Sequence, residues 1–126
     1  MFTLIPQPIM MPYKLINPSV IQENLANNRE LILQFVELYQ IQIPIDLQAL
    51  KEAVTSEVHI EIADKAHHIK PTMAYIGAHA LREKLQQLES AGKNKAEIAH
   101  INILFSDIEN EIIALIQEIE DYRNSL

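Results

Sequence analysis

Residues 98–122 read IAHINILFSDIENEIIALIQEIEDY, a stretch with one continuous apolar face. Ile98, Ile101, Phe105, Ile108, Ile112, Leu115, Ile119 and Tyr122 recur in steps of three and four. That spacing gathers them on one helix face, the a/d seam of antiparallel bundle or coiled-coil packing. The stripe reads as core. Glu109, Glu111, Glu118 and Glu120 fall off the seam and read as a solvated face.

Working back toward the N-terminus, a fourth helix is expected over residues 79–91, with Leu81, Leu85 and Leu88 on one face and Gly92 as its stop. A third runs from about residue 56 to at least 70, with Ile62, Ala66, Ile69 and Met73 as its apolar face. Asn27 and Asn28 are N-cap candidates for the helix before it, with Glu30 in its first turn. Leu31, Phe35, Leu38 and Tyr39 form that helix's apolar positions. Pro44 interrupts them, and Leu47, Leu50 and Val54 resume the pattern, so this helix is expected to be kinked or split. A short helix with Val20, Ile21 and Leu25 follows Pro18.

Four of the six prolines fall in the first 18 residues, and only Gly77 and Gly92 supply glycine. No strand-like alternation persists and no nucleotide-binding glycine loop occurs. The fold class expected is therefore all-α: a four-helix antiparallel up-down bundle with a short extra N-terminal helix. Residues 1–18 read as an extended arm and 19–126 as the bundle. The arm is apolar but lacks a basic n-region and is broken by prolines, unlike a signal peptide.

Composition narrows the function. The net charge is −7, from 17 acidic and 10 basic residues. That balance argues against nucleic acid and against an anionic membrane surface, both of which are met with clustered lysine and arginine. The absence of cysteine excludes disulfides, thiol catalysis and cysteine-ligated metal. No apolar run approaches the length of a membrane span. A cytoplasmic location is expected.

Residues 66–78, AHHIKPTMAYIGA, carry the chemistry. With Ile62, Ala66, Ile69 and Met73 inward, His67 points about 140° away from the centre of the buried face. Lys70 follows one turn later, about 60° around the helix. A neutral imidazole held in water beside a lysine is what a reversible phosphoryl carrier requires, since the unperturbed imidazole pKa lies near 6.5. The same outward side carries Ile60, Ala63, Asp64, Pro71 and Ala74. It reads either as a partly apolar docking collar or as scattered surface apolarity.

These residues resemble the A-H-x-[LI]-K-G-[ST]-x-x-x-[LI]-G-A signature of histidine-containing phosphotransfer (HPt) domains. The resemblance extends from about residue 13 to residue 122. It implies that His67 accepts phosphoryl from a receiver-domain aspartate and passes it to another. The partners implied are receiver domains of response regulators or hybrid histidine kinases. The chain would have no kinase activity and no cofactor of its own, Mg²⁺ being supplied by the receiver. A monomer is expected, with a dimer through the a/d seam as the other reading.

The resemblance also implies a residue on the next helix that orients the imidazole, and alignment from His67 and Gly77 reaches Glu89. A plain surface glutamate is the other reading of Glu89, and an ordinary solvated lysine the other reading of Lys70. Thr72 and Gly77 match the signature, whereas Pro71 stands where relatives have glycine. Either the helix kinks past His67, or Pro71 stands against the ring as an apolar wall. His68 is a second histidine, expected to lie nearer Asp64. The remaining histidines, His59, His79 and His100, read as surface or boundary residues.

Two readings from other classes stand beside this one. Asp64-x-x-His67 and Glu97-x-x-His100 are similar to the carboxylate-x-x-His pairs of di-iron bundles, with Glu30 and Glu37 as further ligand candidates. A helical adaptor that docks without being phosphorylated is the other.

Overall fold

Asparagine side chains cap the first two helices. A computed structural model of the chain describes residues 13–126. Five helices follow one another: α1 Pro18–Asn24, α2 Arg29–Thr55, α3 His59–Tyr75, α4 His79–Lys93 and α5 Ile98–Ser125. No strand occurs among the described residues. The Asn17 side chain accepts from the Ser19 N–H at 3.0 Å, with Pro18 opening α1. The Asn28 side chain accepts from the Leu31 N–H at 3.1 Å and so caps α2. Asn27, the other candidate, instead turns the chain with φ 53°.

α2, α3 and α4 end in the same way. The second residue after each takes a left-handed conformation: Glu57 (φ 59°), Gly77 (φ 75°) and Lys95 (φ 55°). The following N–H then returns to the last helical turn, from Val58 to Ala53, from Ala78 to Met73 and from Ala96 to Ala91. These are Schellman turns, and they reverse the chain within a few residues.

Short reversals make sequential helices antiparallel neighbours. Lys51 pairs with Glu109 at 3.0 Å and Glu37 with Arg123 at 2.7 Å, so position rises along α2 as it falls along α5. α3 meets α2 through Phe35 stacked on Tyr75, with centroids 5.8 Å apart. α4 meets α5 through Lys84, which binds Asp107 and Glu111. The four long helices thus close a ring around one core, and α1 lies across one end, where the Asn17 N–H donates to the Ile76 carbonyl. This is the expected all-α bundle with its short extra helix.

The α5 seam packs as its spacing predicts, with all but Ile98 of its eight residues buried. The first half of α2 is rotated from expectation. Ile32, Val36 and Ile43 are buried, whereas Leu31 and Leu38 are exposed. That segment is apolar on two faces, and periodicity alone does not say which face finds a partner.

α2 runs unbroken through Pro44, and α3 runs unbroken through Pro71, so neither helix is split. Both prolines are exposed. The carbonyls of Gln40 and His67 therefore lose their N–H on the outer surface, where solvent can replace it.

α4 does not stop at Gly92. This glycine is buried inside the helix, at its crossing with α3. Nor is Glu118 simply solvated: its carboxylate accepts the backbone N–H groups of Lys14, Leu15 and Ile16 at 2.9–3.2 Å. This contact pins the described end of the expected arm to α5 and buries Ile16. The rest of the arm, residues 1–12, lies outside the described residues.

Candidate functional site

α3 turns Ile62, Ala66, Ile69 and Met73 into the core, and this fixes the phase of everything on its outer side. The His67 side chain is 67% exposed. Its Nδ1 faces the Glu89 carboxylate of α4, at 3.3 Å from Oε1 and 3.2 Å from Oε2. A carboxylate can only accept, so Nδ1 carries the proton and donates it. Nε2, the opposite ring nitrogen, has no hydrogen-bond partner among the described residues.

Glu89 is not a surface glutamate. It retains 2% exposure, and it and Asp46 are the buried charged residues among those described. Lys70 Nζ lies 2.8 Å from its Oε1 and Lys93 Nζ 2.9 Å from its Oε2. Burial pushes the carboxyl pKa up, but hydrogen bonds from Lys70, Lys93 and His67 outweigh it. Together with the Lys70 charge they hold the group down from its ordinary 4.5 to about 2. Glu89 is thus an ionised, three-fold-bonded acceptor at the base of an exposed imidazole.

Lys70 is also not solvated. Its side chain is 12% exposed, and its ammonium donates to Gln86 as well as to Glu89. Lys93 was not foreseen from the sequence. The available signal is its position four residues after Glu89, one helical turn on the same face.

An open groove of ≈ 510 Å³ runs beside His67. Ile60 and Asp64 line one part of it, and Lys93 and Lys95 another. Of the residues expected on this outward side, Ile60 is 78% exposed, and Asp64 and Pro71 are exposed too. Ala74 is half-buried. Ala63 departs from expectation: it is 6% exposed, because Gly92 of α4 packs on it. It forms the floor of the groove rather than its outer surface.

His68 does not turn to Asp64. Its Nε2 lies 3.5 Å from Asp46 Oδ1 of α2, and Gln42 donates to the same oxygen at 2.9 Å. His59 is half-buried, with Nε2 2.7 Å from the Ala96 carbonyl, while His79 and His100 are exposed.

The di-iron reading fails on geometry. Asp64, His67, Glu97 and His100 are exposed rather than turned into the bundle, as are Glu30 and Glu37. Among the described residues no three histidine, aspartate or glutamate side chains come together as a metal site needs.

A family model described as the Hpt domain matches residues 34–124. The chain belongs to the Hpt domain family. Hpt domains are phosphocarrier modules of phosphorelays rather than kinases, and they interact with receiver domains. The Hpt fold is also seen in a solved structure similar to this chain, the HPT domain of an Hpt sensor hybrid histidine kinase from Shewanella. The two share 13% identity and a TM-score of 0.77, over 89% of this chain and 96% of that one. No curated protein sequence matches this Hpt chain. No helix among its described residues is long and apolar enough to cross a membrane.

Proposed function

We propose that this Hpt chain is a histidine phosphocarrier in a multistep phosphorelay, shuttling a phosphoryl group between receiver-domain aspartates through His67. The observation that carries the reading is the outward imidazole whose Nδ1 is held by the buried Glu89. In the transfer step the Nε2 lone pair attacks the phosphorus of an aspartyl phosphate. An N–P bond forms as the acyl P–O bond breaks, and the aspartate carboxylate leaves. Positive charge grows on the imidazole during attack, and the Glu89 carboxylate stabilises it through Nδ1–H. The reverse step returns the phosphoryl group to a second aspartate.

Mg²⁺ belongs to the receiver, which neutralises the charge of the transferring group. The exposed Ile60, Asp64 and Pro71, with Ala74 at their edge, form the docking face in this reading. Lys70 contributes through Glu89, whose charge it balances, and so indirectly to the imidazole. Residues 19–126 act as the transfer module, in the cytoplasm and as a monomer, with neither nucleic acid nor membrane as partner.

The test is to incubate the chain with phosphorylated receiver domains and follow the label. Acid-labile, base-stable label on the chain supports the reading. Absence of transfer from every receiver tried, in the presence of Mg²⁺, contradicts it.

A further inference from the structure

A carboxylate is a strong acceptor for orienting an imidazole, but it has a second effect. An uncompensated negative charge beside a histidine favours the protonated ring, and a protonated Nε2 has no lone pair with which to attack. The site at His67 therefore needs the hydrogen bond of Glu89 without its full field. Two ammonium groups meet that carboxylate, one on each oxygen: Lys70 at 2.8 Å and Lys93 at 2.9 Å. Lys70 is largely buried and also committed to Gln86. Lys93 is different, with a side chain 66% exposed at the edge of the groove beside His67. Its contact places an exposed positive charge directly on the buried carboxylate that holds His67.

We propose that Lys93 is a positioning residue for phosphoryl transfer: jointly with Lys70 it neutralises Glu89, so that this carboxylate holds Nδ1 of His67 while Nε2 keeps its lone pair. The inference rests on the phosphocarrier reading and adds to it a residue that acts through Glu89, without touching the phosphoryl group.

Other charged groups surround the ring. Asp64, Lys65 and His68 share its helix, and His59 stands at the start of that helix. Asp46 of α2 faces the same side but is engaged by His68, and Lys95 follows α4. None of these is in hydrogen-bond contact with Glu89. Lys93 is the exposed group that is, and so the one whose removal changes the charge the imidazole feels through its own acceptor.

The test follows the His67 ring protons by NMR across pH in the full chain. Lys93→Ala should move the His67 titration midpoint upward, because a positive charge near the ring is lost, and Lys93→Arg should restore it. In a Glu89→Gln background the same Lys93→Ala change should produce less than half that shift. The pH profile of transfer from a phosphorylated receiver should move up with the midpoint, so that Lys93→Ala recovers its rate at higher pH.

No shift on Lys93→Ala, or an equal shift with and without Glu89, would overturn the role of Lys93. The titration needs no receiver. An upward shift that depends on Glu89, in a chain that accepts no phosphoryl group, would therefore refute the phosphocarrier reading alone and leave the charge relationship standing.

Discussion

Gly92 of α4 lies so close to Ala63 of α3 that a β-carbon on it would stand 2.9 Å from the Ala63 amide nitrogen and 3.1 Å from the Ala63 methyl. The same β-carbon would meet the His59 carbonyl oxygen at 2.9 Å. Backbone atoms on both counts leave no flexible side chain to move aside. The close crossing lies less than one turn from Glu89 and one turn from His67, so it sets how near the carboxylate comes to the imidazole.

Gly92→Ala is therefore expected to destabilise the bundle by about 1–3 kcal/mol, the usual scale of overpacking. Helix propensity alone points the other way, favouring alanine by up to about 1 kcal/mol. Urea denaturation separates the two. A variant as stable as wild type would mean that α3 and α4 can part without cost.

Ile60→Asp is expected to leave stability within about 0.5 kcal/mol of wild type, as exposed substitutions do. Its affinity for a receiver domain should fall, because Ile60 is the large apolar side chain on the rim of the groove. Thermal melting and a binding titration read the two quantities independently. Unchanged affinity would move the docking face away from Ile60.

Much of this arrangement is legible in the sequence, for physical reasons that differ by element. The α5 seam follows its spacing because that helix has one strongly apolar face and the bundle must bury it. His67 and Glu89 are reached by aligning AHHIKPTMAYIGA, and α3 obeys its phase because Ile62, Ala66, Ile69 and Met73 leave one choice of inner face. What escapes is set by contacts between helices. Glycine at 92 reads as a helix stop in one dimension and is a close crossing in three. Glu118 reads as solvated until residues 14–16 return to it from the far end of the chain. Leu31 and Leu38 look like core until the competing face of α2, with Ile32 and Val36, takes that place.

The ion pairs at Glu89 give stability a pH dependence of known sign. Its folded-state pKa is held down to about 2 from 4.5. The group therefore contributes stability that is fully present above about 4.5 and is lost as pH falls toward 2. The shift corresponds to at most about 3 kcal/mol. Glu89→Gln lacks this contribution, so wild type should exceed it in stability at neutral pH, with the gap narrowing through the acid range. Urea denaturation of both proteins across that range provides the measurement. A gap that widens on acidification would contradict an ionised Glu89 in the fold.

Whether His67 carries the phosphoryl group is decided by comparing label from a phosphorylated receiver domain on wild type, His67→Gln and His68→Gln. Glutamine keeps bulk and polarity at an exposed position but offers no nucleophilic ring nitrogen, so all three proteins should keep their helical circular dichroism. Acid-labile label is expected on wild type and on His68→Gln, and none on His67→Gln. Label retained on His67→Gln, or lost on His68→Gln alone, would contradict that role of His67.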